Sequence, residues 1–170
     1  VVREDELYDW FKEKDNTALC NYEVKPFEFV RKIIRNVELY LAFANGQGND
    51  GKPSSVIDSL RQLTGGAFSL HYVLLLAAAN FPKPLFDHFV KQLESFLFYY
   101  IFTKTPTKDL ERSFSHWADE LRAIGQTTDA VEQKVQLNTF IADRFEKGMV
   151  GKAQELDDAL KRYSLYSMQQ

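Results

Sequence analysis

The chain has 170 residues, enough for one domain with a sizeable core and tight for two. Its 45% apolar and 26% charged residues exclude a disordered, collagen-like or coiled-coil chain, and its 14 Phe, mostly at helical spacing, read as core filling and not as a base-stacking surface. A net charge of -3 gives no global attraction to nucleic acid or anionic lipid, and the lone Cys20 excludes an internal disulfide and a cysteine-based zinc site and fits the cytoplasm.

Acidic residues ahead of Leu7, Trp10 and Phe11 predict a short first helix over residues 5–14. Lys25-Pro26 opens a longer one, because proline suits the first helical turn. In it Phe27, Val30, Ile33, Ile34, Val37, Leu41 and Ala44 form one stripe of the kind that faces a core, and Asn45-Gly46 stops it. The run 46–53, GQGNDGKP, lacks the Lys-Ser/Thr ending of a phosphate loop and follows no apolar strand, so it reads as a mobile connector. Ser54 or Ser55 then caps a helix carrying Val56, Ile57, Leu60 and Leu63, which Gly65-Gly66 ends.

Residues 68–79 are apolar nearly all round and predict a helix in the middle of the domain; their Leu and Ala content argues against a buried strand. The stretch is too short to span a bilayer. After Pro82 and Pro84, residues 85–102 give the clearest pattern, with Phe86, Phe89, Val90, Leu93, Phe96, Leu97, Tyr100 and Ile101 in one stripe. Phe98, Tyr99 and Phe102 fill the other side of its last turns, which predicts a central helix, at least at its C-terminal end. Thr105-Pro106-Thr107 restarts the chain into Leu110, Phe114, Trp117, Ala118, Leu121 and Ile124, up to Gly125. A helix from Thr128, with Val131, Val135, Leu137, Ile141 and Phe145, closes at Gly148, and a last one from Val150 carries Leu156, Leu160 and Tyr163. No segment alternates with period 2 and no repeat of solenoid length is present. The expected fold is a single all-α domain over 1–170, an irregular bundle of about seven or eight helices stacked as αα-hairpins without significant sheet.

Chemistry-bearing residues are sparse. His116 and Glu120 stand at i and i+4, a spacing that grips a metal, but no further pair completes a site and both fall off the apolar stripe, so they read as a solvated polar pair. His88 reads as a surface residue and His71 as a buried neutral imidazole with a hydrogen-bond partner. Nucleophile-elbow, Rossmann and catalytic-cysteine patterns are missing, so no catalytic, cofactor-binding or metal-ligating residue is assigned and no cofactor is expected. Two basic clusters remain as candidate phosphate contacts: Arg31, Lys32 and Arg35, and Lys104, Lys108 and Arg112.

Four segments in order carry a resemblance: Glu6-Leu7-Tyr8-Asp9-Trp10-Phe11, Glu94-Ser95-Phe96-Leu97-Phe98-Tyr99-Tyr100, Lys108-Asp109-Leu110-Glu111-Arg112-Ser113-Phe114 and Ala159-Leu160-Lys161-Arg162-Tyr163-Ser164-Leu165-Tyr166. Together they resemble the middle portion of GmrSD-like restriction proteins, which join a ParB-like N-terminal domain to a C-terminal HNH nuclease. The nucleotide-linked motif and the HNH ligands of that family belong to the flanking domains, so no catalytic residue is carried over to this sequence. The resemblance implies a bacterial helical scaffold cut from a larger phage-defence protein, with its flanking domains as partners and no membrane. DNA binding, nuclease and NTPase activity would then belong to the full-length protein. A nucleic-acid-binding or protein-interaction module of another process is the alternative.

Overall fold

Helical periodicity without strand alternation gives a chain in which, among the described residues, every regular element is a helix and the sole β-type pairing is an isolated bridge between Gln47 and Pro53. The structure is a computed structural model and describes residues 4–65, 68–104 and 108–167. Its α-helices are α1 (Leu7–Lys12), α2 (Lys14–Cys20), α3 (Pro26–Ala44), α4 (Ser55–Thr64), α5 (Tyr72–Ala77), α6 (Lys83–Phe102), α7 (Lys108–Gln126), α8 (Ala130–Ile141), α9 (Lys147–Val150) and α10 (Ala153–Ser167), with a π-helical turn at Ala142–Glu146 joining α8 to α9. The restart at Thr105-Pro106-Thr107, Gly66 and the side chain of Tyr163 lie outside the described residues.

The 85–102 pattern sets the centre. Phe86, Phe89, Val90, Leu93, Phe96 and Leu97 of α6 are all buried, and α6 packs against α4, α8, the π turn, α9 and α10. Residues 68–79 form a shorter helix than predicted: only Tyr72–Ala77 is regular, turns flank it, and Leu74, Leu75, Ala77, Ala78 and Ala79 are buried between α3 and α7. The first predicted helix is split at Glu13, whose extended ψ of 133° separates α1 from α2, and Cys20 ends α2.

At the other end, α8, expected from about Thr128, begins at Ala130 with Asp129 as its cap: the carboxylate accepts from Val131 N and Glu132 N at 2.8 Å each. Gln133, Leu137, Phe140 and Ile141 face inward and Val131 and Val135 are exposed, contrary to the predicted stripe. The π turn then rotates Phe145 into the core against Phe96 and Phe140. Gly125 and Gly148 do not stop helices; each lies within one, with the ring of Phe81 or Phe96 close by. Replacing Asp129 by alanine removes the side-chain cap of α8 and is expected to lower the unfolding free energy, read from denaturant melts, by about 1 kcal/mol.

The loop at 46–53, expected to be a mobile connector, carries tethers of its own. Gly46 takes φ 77°, a conformation in which a side chain would be strained, and its carbonyl accepts from Ser54 N at 2.9 Å. Asn49 donates through Nδ2 to the carbonyls of Ala79 and Phe81, at 3.1 and 2.7 Å. These bonds fasten the end of α3 to the turn between α5 and α6.

Candidate functional site

The residue pattern of α3 has a consequence opposite to the one predicted. Its stripe was expected to face the core, yet Val30, Ile33, Ile34, Val37 and Leu41 are each about half exposed and Phe27 is 79% exposed. The helix attaches to the body by the other side. Phe43, fully buried, stacks on Phe86 with ring centroids 5.5 Å apart, Leu39 packs on the core, and Arg35 donates to Asn80 Oδ1 at 2.9 Å. Near its start, Phe29 makes an edge contact with Phe11 at 5.8 Å, so the α1–α2 segment also sits away from the stripe. The body and the N-terminal segment meet α3 at other positions: Phe43 on Phe86 of α6, Tyr40 on Tyr72 of α5 and Phe29 on Phe11 and Tyr22, which leaves the Phe27–Leu41 stripe largely exposed.

This surface is the largest run of exposed large apolar side chains in the described residues, and such patches on a folded domain mark interaction sites. At its C-terminal end lies a hollow of about 350 Å³ bordered by Ala44, Asp58, Arg61, Gln62, Thr64, Gly65 and Tyr72. Tyr40 rests against Tyr72 there, with centroids 4.8 Å apart. Burial raises the Tyr72 phenol above its ordinary pKa, Tyr40 adds to the effect and Arg61 opposes it.

The polar candidates behave as separate, structural groups. His116 is exposed and its Nε2 lies 3.1 Å from Glu120 Oε1, but the same carboxylate takes two bonds from Arg144, at 2.8 and 3.1 Å. The planar guanidinium fits both oxygens, so Glu120 serves to fasten α7 to the π turn. Exposed His116 adds little to that fork, and His116→Ala is expected to move the unfolding midpoint by no more than about 0.5 kcal/mol in free energy. His88 is half-buried beside Pro84, Leu85 and Gln133.

His71 is buried as expected but without the expected partner: neither ring nitrogen has a hydrogen bond, and the ring lies against Phe68 and Tyr72. Burial in this apolar niche lowers its pKa to about 4, with the Phe68 carbonyl pulling weakly the other way. It is a neutral imidazole filling space.

The basic residues do not converge on one site. Arg31 and Lys32 are exposed, whereas Arg35 is occupied by Asn80; Lys104 and Arg112 are exposed, and the side chain of Lys108 lies outside the described residues. Among the described residues no three His, Cys, Asp or Glu are grouped to hold a metal ion, and no helix is long and apolar enough to cross a membrane. In comparison with known proteins, no family model, curated protein or solved structure matches the chain. Residue spacing had singled out the α3 stripe; that it points outward follows only from the packing of Phe43 and Arg35, which one helix's pattern does not encode.

Proposed function

We propose that the chain is a non-catalytic helical interaction and scaffold domain that docks through the outward face of α3. The observation that carries this reading is the solvent-facing stripe from Phe27 to Leu41, set beside titratable groups that are either engaged in structural pairs or scattered. Such a surface buries apolar area on association, worth about 25 cal/mol per Å², and performs no bond-making step. The similarity of its segments to GmrSD-like proteins supports a place between a ParB-like domain and an HNH nuclease in a modification-dependent DNA restriction protein of the bacterial cytoplasm. The flanking domains would be its covalent neighbours, and DNA recognition and cleavage would fall to them. Arg31 and Lys32, on the same helix, are where this domain would meet phosphate.

The reading is tested by Ile34→Asp combined with Val37→Asp. Two carboxylates on a free surface leave the fold intact, whereas in a packed core each would be a buried unpaired charge costing several kcal/mol. At about 1 µM, where association is slight, the double variant is expected to keep the wild-type helical circular dichroism and to melt within a few degrees of it. Loss of the helical signal would place the stripe in the core and remove the docking surface.

A further inference from the structure

Within the α3 stripe, Phe27, Val30, Ile34, Val37, Leu41 and Ala44 follow a strict 3-4-3-4-3 spacing, so they line one straight seam along the helix. Leu39 and Phe43 face the body and Phe29 packs on Phe11 and Tyr22, all off the seam, which leaves the seam open to another helix. We propose that the seam pairs with the same seam of a second copy of this chain, antiparallel, about a two-fold axis passing between Arg35 and Asn36. The proposal rests on the interaction reading above and names its occupant.

Self-complementarity selects that occupant. In this register Ile34 lies across from Val37 of the second copy, Val30 across from Leu41, and Phe27 across from Ala44, and the two-fold repeats each pair. The flank carrying Arg31 and Glu38 then sets each Arg31 against Glu38 of the other copy, twice over; both side chains are exposed and neither makes an ion pair among the described residues. A parallel pairing would instead put these charges opposite Pro26 and Ile33. The other flank sets Ile33 against Tyr40, apolar on apolar. Size matches as well: the highly exposed Phe27 meets the smallest seam residue, Ala44, beside the hollow bordered by Arg61, Thr64 and Tyr72.

Area supports a real interface. The exposed parts of the seam and its flanks sum to something on the order of 600 Å² per copy, so the pair buries about 1,200 Å², at the lower end of stable, specific interfaces. Both helices are already built on their domains, so association orders little backbone. Like-on-like contact about a two-fold closes on itself and gives a dimer, not a fibre.

The test is the mass of the chain in solution by light scattering, across a concentration series reaching about 100 µM. The wild type is expected to reach twice the chain mass of 19.7 kDa. Ile34→Asp, which sets two carboxylates at the centre of the seam, should weaken the dimer by about a hundredfold or more. Arg31→Glu alone and Glu38→Arg alone should each weaken it about tenfold, and the two together should restore it to within about threefold of wild type. A wild type that stays at the single-chain mass, a dimer indifferent to Ile34→Asp, or a double reversal no better than the single ones would overturn the proposal. A monomeric wild type alongside a folded Ile34→Asp/Val37→Asp variant removes the self-pairing and leaves the docking surface; collapse of that variant removes the surface itself.

Discussion

Truncating Phe96 to alanine is expected to destabilise the domain by about 3–5 kcal/mol, the largest single effect anticipated for this chain. Phe96 is fully buried on α6 and is ringed by Tyr100, Phe145, Trp117 and Phe114, with centroids 4.5, 4.8, 5.7 and 6.4 Å away. These neighbours come from α6, the π turn and α7, so the ring is a joint between elements far apart in sequence. The backbone at Gly148 also approaches it: a Cβ there would lie 3.3 Å from the Phe96 ring, which leaves little room for the cavity to collapse. Domains of this size hold about 5–15 kcal/mol in total, so Phe96→Ala should bring the denaturant midpoint down by a large fraction while His116→Ala leaves it nearly unchanged. Equal, small effects would mean that α6 is not the hub.

Acidification is expected to cost about 3 kcal/mol through His71 alone. Its folded pKa, about 4, lies below the ordinary imidazole value of 6.5, so the folded state prefers the neutral ring. The stability linked to it is therefore fully present above pH 6.5 and is lost as pH falls from there to about 4, where the unfolded chain takes up a proton that the folded site resists. Carboxylates titrate in the same window, so His71→Phe is the control: it keeps an aromatic ring between Phe68 and Tyr72 and removes the proton. The difference in unfolding free energy between wild type and His71→Phe should shift by about 3 kcal/mol in favour of the variant from pH 7 to pH 4. An unchanged difference would show that His71 is solvated or partnered.

These two expectations draw on different amounts of sequence information. The place of Phe96 was legible from the one-sided stripe of α6, whereas its last turn, apolar on both sides and expected to be the central part, is only partly buried, with Ile101 37% exposed. The burial of His71 was legible because residues 68–79 are apolar nearly all round, but its missing partner was not, since hydrogen bonding depends on which backbone groups arrive from elsewhere. The amphipathicity of α3 was plain, yet a stripe says only that something covers it, and the rest of the chain covers the opposite side through Phe43 and Arg35. At α8 two overlapping faces carry apolar residues, and the one that packs holds Gln133, Leu137, Phe140 and Ile141 while Val131 and Val135 stay exposed, a choice made by the neighbouring helices and not by the pattern of α8 itself. The π turn was illegible because an inserted residue breaks the 3.6 period that pattern reading assumes. No catalytic constellation was read from the sequence, and the polar groups that attracted notice resolve into a structural fork at Glu120 and an isolated imidazole at His71.

The outward orientation of α3 is the claim on which the functional reading stands, and thiol labelling measures it directly. In a Cys20→Ser background, Ile34→Cys and Leu93→Cys place one thiol on the seam and one in the core, the first position half exposed and the second fully buried. At a dilution where light scattering gives the single-chain mass, Ile34→Cys should react with a thiol reagent within about tenfold of the rate of an unfolded chain, while Leu93→Cys should be slower by about a thousandfold, reacting only when the domain opens. Protection of Ile34→Cys to the same degree as Leu93→Cys would contradict the account, because α3 would then face a core.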